Sequence, residues 1–164
     1  MFYLDLFRAL EAHKVRYLLV GGLALNIHGV ERATMDVDLM LALDPDNTLA
    51  FIDVAKQLGM QPVLPVALED FADPGKLHAW IETKHMLAFA LRPRQASDPT
   101  VDILVQPLVD FDLAWNRRIE KDLGGIHLSL ATIDDLIALK TGTGRQRDAA
   151  DIQALRQLRD IGLG

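Results

Sequence analysis

Two carboxylates one residue apart, Asp36 and Asp38, interrupt an apolar run from Met35 to Ala42 that otherwise reads as a buried strand. An ionised carboxylate is costly to bury unless something compensates its charge. The two-residue period of a strand puts both aspartates on one face and turns Val37 and Leu39 toward a core. Like charges that close raise each other's cost of ionisation. A divalent cation between them reverses the balance, because Mg²⁺ prefers carboxylate oxygens and keeps coordination positions open for phosphate. The plainer alternative is a strand whose second face meets solvent and needs no ligand. An EF-hand is excluded, since Leu41 stands where that loop requires glycine.

The segment just upstream adds a second constraint. Val15 to Val20 reads as a strand that ends in Gly21-Gly22 and leads into a helix to about His28. Glycines at a strand-to-helix turn let backbone approach a ligand closely, and the helix start directs N–H groups at an anion. They also serve as a simple tight turn. Beside a strand with two carboxylates, the turn offers phosphates and their metal ions adjacent places to bind.

The remaining pattern predicts helices over residues 2–13, from Asp44-Pro45 to near Gly59, over a brief 77–83, and over 110–116. Residues 60–75 hold three of the seven prolines and read as loop with a short helical piece. Lys84–Leu91 and Thr100–Val105 read as strands joined hairpin-fashion, as do Arg118–Asp122 and Ile126–Leu130 around Leu123-Gly124-Gly125. Thr132 caps a helix to about Thr141, Gly142 to Gly144 break it, and Asp148–Ile161 form the last helix. Helix-linked strands followed by hairpins predict an α/β fold with a mixed sheet flanked by helices. The whole chain, 1–164, reads as one domain, with the helices over about 132–161 packing on its core.

Composition narrows the function classes. Half the residues are hydrophobic and 24% are charged, as in an ordinary globular chain. No apolar run reaches transmembrane length, and Asp5, Arg8 and Glu11 make the amino-terminal run an amphipathic helix rather than a signal peptide. Cysteine is absent, which excludes disulfides and thiolate metal sites; a cytoplasmic location is expected, with no membrane partner. A net charge of −6 argues against coating nucleic acid by bulk electrostatics but leaves room for a local basic groove. The candidate clusters are Arg92 with Arg94, Arg117 with Arg118 and Lys121, and Arg145 with Arg147, for each of which a solvated face or loop is the plainer reading. His13, His28, His78, His85 and His127 lack metal-ligand spacing, Ser97 and Ser129 lack a nucleophile-elbow context, and Trp80 and Trp115 read as core.

Val20-Gly21-Gly22, thirteen residues, then Asp36-Val37-Asp38-Leu39 resembles the signature of the polymerase-β-type nucleotidyltransferase superfamily. Gly22, Ala24, His28-Gly29, Arg32, Thr34 and Asp36 are similar to its AbiEii-like, or minimal nucleotidyltransferase, branch known from toxin–antitoxin modules. The resemblance implies a polymerase-β-like fold. It also implies Mg²⁺ (or Mn²⁺) held by Asp36, Asp38 and a third carboxylate from a neighbouring strand. Asp102, within Thr100–Val105, fits that place, and Asp98 competes weakly from a loop. Gly21, Gly22, Arg32, Thr34 and Lys140 would then bind an NTP such as ATP. Lys140, matched with Arg147-Asp148 and Asp151 in the same branch, would neutralise the leaving pyrophosphate, or else pair with Asp135 or Asp151.

Two departures stand out. Gly22 replaces a serine common in relatives, and the chain lacks the extra carboxy-terminal domain that many use to grip an acceptor. The implied reaction is transfer of NMP from an NTP to an acceptor hydroxyl. An RNA end, tRNA foremost, is favoured because Arg32, Arg92, Arg94, Arg145 and Arg147 are expected to converge on one cleft. The chain would be the toxin-like component with a cognate antitoxin. The rival readings are a weakly active nucleotide-binding antitoxin or scaffold, and an antibiotic-modifying enzyme with a small-molecule acceptor.

Overall fold

Val15 and the apolar quartet that follows it seed the centre of the sheet. β1 (Tyr17–Val20) runs antiparallel to β2 (Val37–Leu41) and parallel to β7 (Ile126–Leu130). Outward from β2 come β5 (Val101–Leu104), parallel to it, then β4 (Ala88–Arg92) and the two-residue β3 (Gln61–Pro62). β6 (Ile119–Leu123) closes the other edge against β7. In this computed structural model, which describes residues 1–143 and 145–162, the order is β3-β4-β5-β2-β1-β7-β6. Gly144, predicted to lie in the break before the last helix, falls outside the described residues. The mixed α/β sheet flanked by helices is the architecture the sequence predicts.

The helices are α1 (Phe2–Ala12), α2 (Gly21–His28), α3 (Pro45–Gln57), α4 (Pro74–Lys84), α5 (Phe111–Asn116), α6 (Ile133–Lys140) and α7 (Gln146–Asp160). Asp44 caps α3 by accepting from the Asn47 N–H, and Thr132 caps α6 through the Asp135 N–H. Leu155 of α7 is fully buried in the same core as Ile133 and Leu136 of α6.

The two faces of the β4-β5-β2 half are unlike. Val37, Leu39, Phe89, Leu91, Val101 and Ile103 form a dry face. Phe89 is sandwiched there, its ring 4.4 Å from Phe71 and 5.7 Å from Trp80. Phe51 of α3 meets Phe71 edge-on at 6.4 Å. On the opposite face Asp38, Asp102, Leu104, Ala88 and Ala90 are only half-buried and Arg92 is exposed. That half of the sheet is therefore open to a ligand.

Several boundaries differ from the sequence pattern. β2 starts at Val37 rather than Met35, because the Tyr3 hydroxyl takes the Met35 carbonyl and the Val37 N–H is the first to reach β5, donating to Thr100. Asp36 thus precedes the strand. α4 starts at Pro74, capped by Asp73 through the Gly75 and Lys76 N–H groups, the same Asp-Pro device that opens α3. It extends to Lys84, where left-handed His85 (φ 51) stops it, so β4 begins only at Ala88. β3 is two residues long and contains a proline, too short for a strand period to register. Truncating the sandwiched ring, Phe89→Ala, should cost about 3–5 kcal/mol of stability, measured by urea denaturation. A loss under about 1 kcal/mol would mean the aromatic stack is not a keystone of this face.

Candidate active site

Register alone builds the centre of the site. Asp38 lies opposite Val20 on one side and opposite Asp102 on the other, and cross-strand partners share a face. Val20 is the last residue before Gly21, so the glycine turn and the acidic pair meet over one point of the sheet. Gly21 has φ +69, and a Cβ there would overlap the Asp38 carboxylate; both conformation and space demand glycine. Gly22 is buried against the Thr34 side chain, 2.7 Å from Oγ1 to where a Cβ would stand. Among the described residues no side chain caps the amino terminus of α2, and Gly21 and Gly22 both line a cleft of about 450 Å³. Asp36, Asp38, Asp102, Arg32, Thr34, Lys140, Arg145 and Arg147 line it as well.

Burial, with the charges of Asp102 and Asp36, pushes the Asp38 carboxyl up to about 6, against the pull of Lys140 and Arg147. Asp102 is also raised, by burial and then by Asp36. Asp102 and Asp36 thus make Asp38 harder to ionise. Asp38 and Asp102 offer hard oxygen donors on adjacent strands, a pair suited to Mg²⁺. The fit is partial: among the described residues no three histidine or acidic side chains converge closely enough to hold an ion as they stand. Asp36 is exposed before the strand, not aligned within it as the sequence pattern predicts. Mutual repulsion favours rotamers that point such carboxylates apart. A further polar group faces inward: the Thr34 hydroxyl is buried with no hydrogen-bond partner among the described residues.

Cations reach the cleft through two buried acids of α7. Lys140 Nζ lies 3.2 Å from Asp148 and 3.0 Å from Asp151, and Arg32 pairs with the same Asp151 carboxylate. Arg145 Nε and the Thr143 hydroxyl both donate to Asp148 at 2.7 Å. Burial would raise Asp148, but hydrogen bonds from Thr143 and Lys140 and the nearby cationic charges outweigh it and leave its pKa lowered. The three-residue spacing of Asp148 and Asp151 puts both on one face of α7, the sequence signal for this counter-ion role. Lys140 is therefore both a cleft residue and an ion-paired one. Its expected alternative partner, Asp135, is taken instead by a bidentate grip from Arg117, at 2.8 and 2.7 Å.

Other candidates sort cleanly. Arg118 stacks over Trp115 at 3.7 Å and pairs with Glu120, away from the cleft lining. His28 ends α2 buried, its Nε2 2.9 Å from the Ala131 carbonyl, and burial lowers its pKa. Trp80 is in the core. One expectation is corrected: Arg92 and Arg94 are not on the rim of the acidic cleft. They line a separate hollow with Gly59, Gln61, Asp98 and Thr100. The antiparallel register of β4 carries Arg92 beyond Ala90, the residue opposite Asp102, and out toward the β3 edge.

A family model described as a nucleotidyltransferase of unknown function (DUF6036) matches residues 4–163. The chain belongs to this family. No curated protein matches the nucleotidyltransferase sequence. Among solved structures it is similar to the lincosamide antibiotic adenylyltransferase LnuA with bound lincomycin, at 17% identity and TM-score 0.59, covering 96% of this chain and 94% of that one. It is similar to the antibiotic-resistance factor ANT(2″)-Ia at 14% identity and TM-score 0.55, covering 98% and 81%. A third neighbour is an antigenic nucleotidyltransferase-like protein from Paracoccidioides brasiliensis, at 16% identity and TM-score 0.56, covering 98% and 75%. At these identities the likeness shows the fold.

The raised Asp38 pKa carries a pH signature. Protonated Asp38 favours the folded chain, and that contribution is lost as pH rises from the ordinary carboxylate range through about 6. Asp38→Asn mimics the protonated form at every pH. In chelator, the variant should gain stability relative to the wild type between pH about 4 and about 6 and then level off. Paired denaturation curves that show a pH-independent difference would contradict the electrostatic account of the site.

Proposed function

We propose that this nucleotidyltransferase moves an NMP group from an NTP to an acceptor hydroxyl with release of pyrophosphate, and that residues 1–164 act as one catalytic unit. The observation that carries the reading is the meeting of the Gly21-Gly22 turn with Asp38 and Asp102 across three adjacent strands. The acceptor oxygen bonds to the α-phosphorus as the bond to the bridging oxygen of pyrophosphate breaks. Asp102 takes up the hydroxyl proton, a role its raised pKa suits. The N–H groups at the start of α2 and the Thr34 hydroxyl bind phosphate oxygens, with Arg32 beside them. Lys140, held by Asp148 and Asp151, places positive charge where the leaving pyrophosphate gains negative charge. Asp36, Asp38 and Asp102 would hold Mg²⁺ or Mn²⁺, which when bound supplies charge neutralisation and activation of the hydroxyl. Asp36 joins the other two by a change of rotamer.

The structural neighbours support a second reading of the acceptor. LnuA is an antibiotic adenylyltransferase seen with lincomycin, and ANT(2″)-Ia is seen with an adenylylated tobramycin. A small hydroxyl compound is therefore a rival to an RNA end. The resemblance to the AbiEii-like branch extends the proposal to a toxin-like role, with a cognate antitoxin protein acting by covering the cleft. None of the described helices is long and apolar enough to cross a membrane. A cytoplasmic site of action suits an enzyme that consumes NTPs.

Calorimetric titration with each NTP, with and without Mg²⁺, tests binding; label transfer from α-labelled NTP tests turnover. Asp38→Asn and Asp102→Asn should each lower transfer about a hundredfold or more, about 2.7 kcal/mol in the barrier. Asp102→Asn should keep most NTP affinity. Binding without any transfer would instead support a nucleotide-binding scaffold. Absence of NTP binding in Mg²⁺ would overturn the proposal.

A further inference from the structure

The open face of the sheet continues past the acidic cleft. Ala88, Ala90 and Arg92 alternate onto the same face as Asp102, since Ala90 lies directly opposite it. Strand spacing and rise put the Arg92 backbone about 8 Å from that of Asp102. On that face the residue of β4 between them is the small Ala90. At its far end Arg92 and Arg94 are both exposed, and neither joins an ion pair among the described residues.

This hollow, of about 640 Å³, is shaped around the second arginine. The Arg94 guanidinium packs directly on Gly59, where any Cβ would overlap it. Gly59 also has φ +68, so glycine is required twice over. Asp98 lines the hollow but pairs with neither arginine. Elsewhere Arg32, Lys140, Arg145 and Arg117 each hold a buried aspartate. Arg92 and Arg94 line this one hollow and, like Arg8, Arg147 and Arg156, join no ion pair among the described residues. Planar guanidiniums match phosphate oxygens bidentately.

We propose that Arg92 and Arg94 form a phosphate-binding subsite for the acceptor, so that the hydroxyl at Asp102 belongs to a molecule carrying a phosphate group about one residue-length further along the sheet. The subsite deepens the nucleotidyl-transfer reading and rests on it for the meaning of the bound molecule, though not for the binding itself. It selects against polycationic acceptors such as aminoglycosides, which the two arginines repel. An RNA end and a small sugar phosphate share the required chemistry.

Binding is measured without NTP, by fluorescence anisotropy of a labelled single-stranded RNA 6-mer with a free 3′-hydroxyl, with glucose 6-phosphate and tobramycin as competitors. Wild-type affinity should fall about sevenfold between 50 and 200 mM salt, the value for two phosphate contacts to a single strand. Arg92→Ala/Arg94→Ala should bind about tenfold more weakly or worse and lose most of that salt dependence. Arg8→Ala, on α1, should match the wild type. Competition by glucose 6-phosphate at equal potency would assign the subsite to small phosphates, and its failure to compete would assign it to RNA. Tobramycin should not compete. Binding indifferent to the double substitution would overturn the proposal, as would the absence of phosphate-ligand binding in a wild type that binds NTP. Normal RNA binding with no label transfer would sink the transfer reading while leaving the subsite intact.

Discussion

The structure turns on Asp38, a half-buried carboxylate held between the glycine turn and another aspartate. β1 and β2 pair so that Val20 faces Asp38, and β2 and β5 pair so that Asp38 faces Asp102. Neither contact helps an isolated fold. Burial and two neighbouring negative charges push Asp38 up to about 6, and Gly21 must take a left-handed backbone to make room for it. Natural sequences accept such local conflicts where function requires them. The dry side of the same strands offsets the cost: Phe51, Phe71, Phe89 and Trp80 pack into an aromatic layer beneath the charged surface.

Around that point the charges fall into three groups with different duties. The acids of β2 and β5 face the cleft and join no ion pair among the described residues. The acids of α7, Asp148 and Asp151, are buried and saturated by Lys140, Arg32, Arg145 and Thr143, tying α6, α7 and the loop before β2 together. Removing one partner of such a network strands a buried charge, so each pairing is costly to break. The arginines beyond Ala90 join no ion pair among the described residues. Charge arrangement, more than net charge, sets what the open face can accept.

Much of this was legible in the sequence because the informative residues are short-range. Val20-Gly21-Gly22 and Asp36-Val37-Asp38 are local patterns whose spacing fixes which strands must be neighbours, and the single acid of Thr100–Val105 has few other places to go. Asp44-Pro45 announced α3. Asp73-Pro74 carried the same signal for α4 but lay inside a proline-rich stretch that reads as loop. What the sequence hides is long-range. Nothing local shows that Tyr3 takes the Met35 carbonyl and leaves Asp36 outside β2, or that Arg117 rather than Lys140 takes Asp135. The direction of β4 decides that Arg92 and Arg94 lie beyond the acidic cleft instead of on its rim, and direction is a property of the pairing, not of the residues.

In the proposed reaction Asp36, Asp38 and Asp102 would form a cation site in which their mutual repulsion is relieved. The direct measurement is unfolding stability against Mg²⁺ concentration at neutral pH, for the wild type and for Asp38→Asn. An ion that binds only the folded chain adds about 2.7 kcal/mol at a hundred times its dissociation constant. The wild type should climb with Mg²⁺ toward that gain, and further with NTP present, while Asp38→Asn should stay nearly flat. A wild type whose stability is unchanged through millimolar Mg²⁺, with and without NTP, would contradict the account.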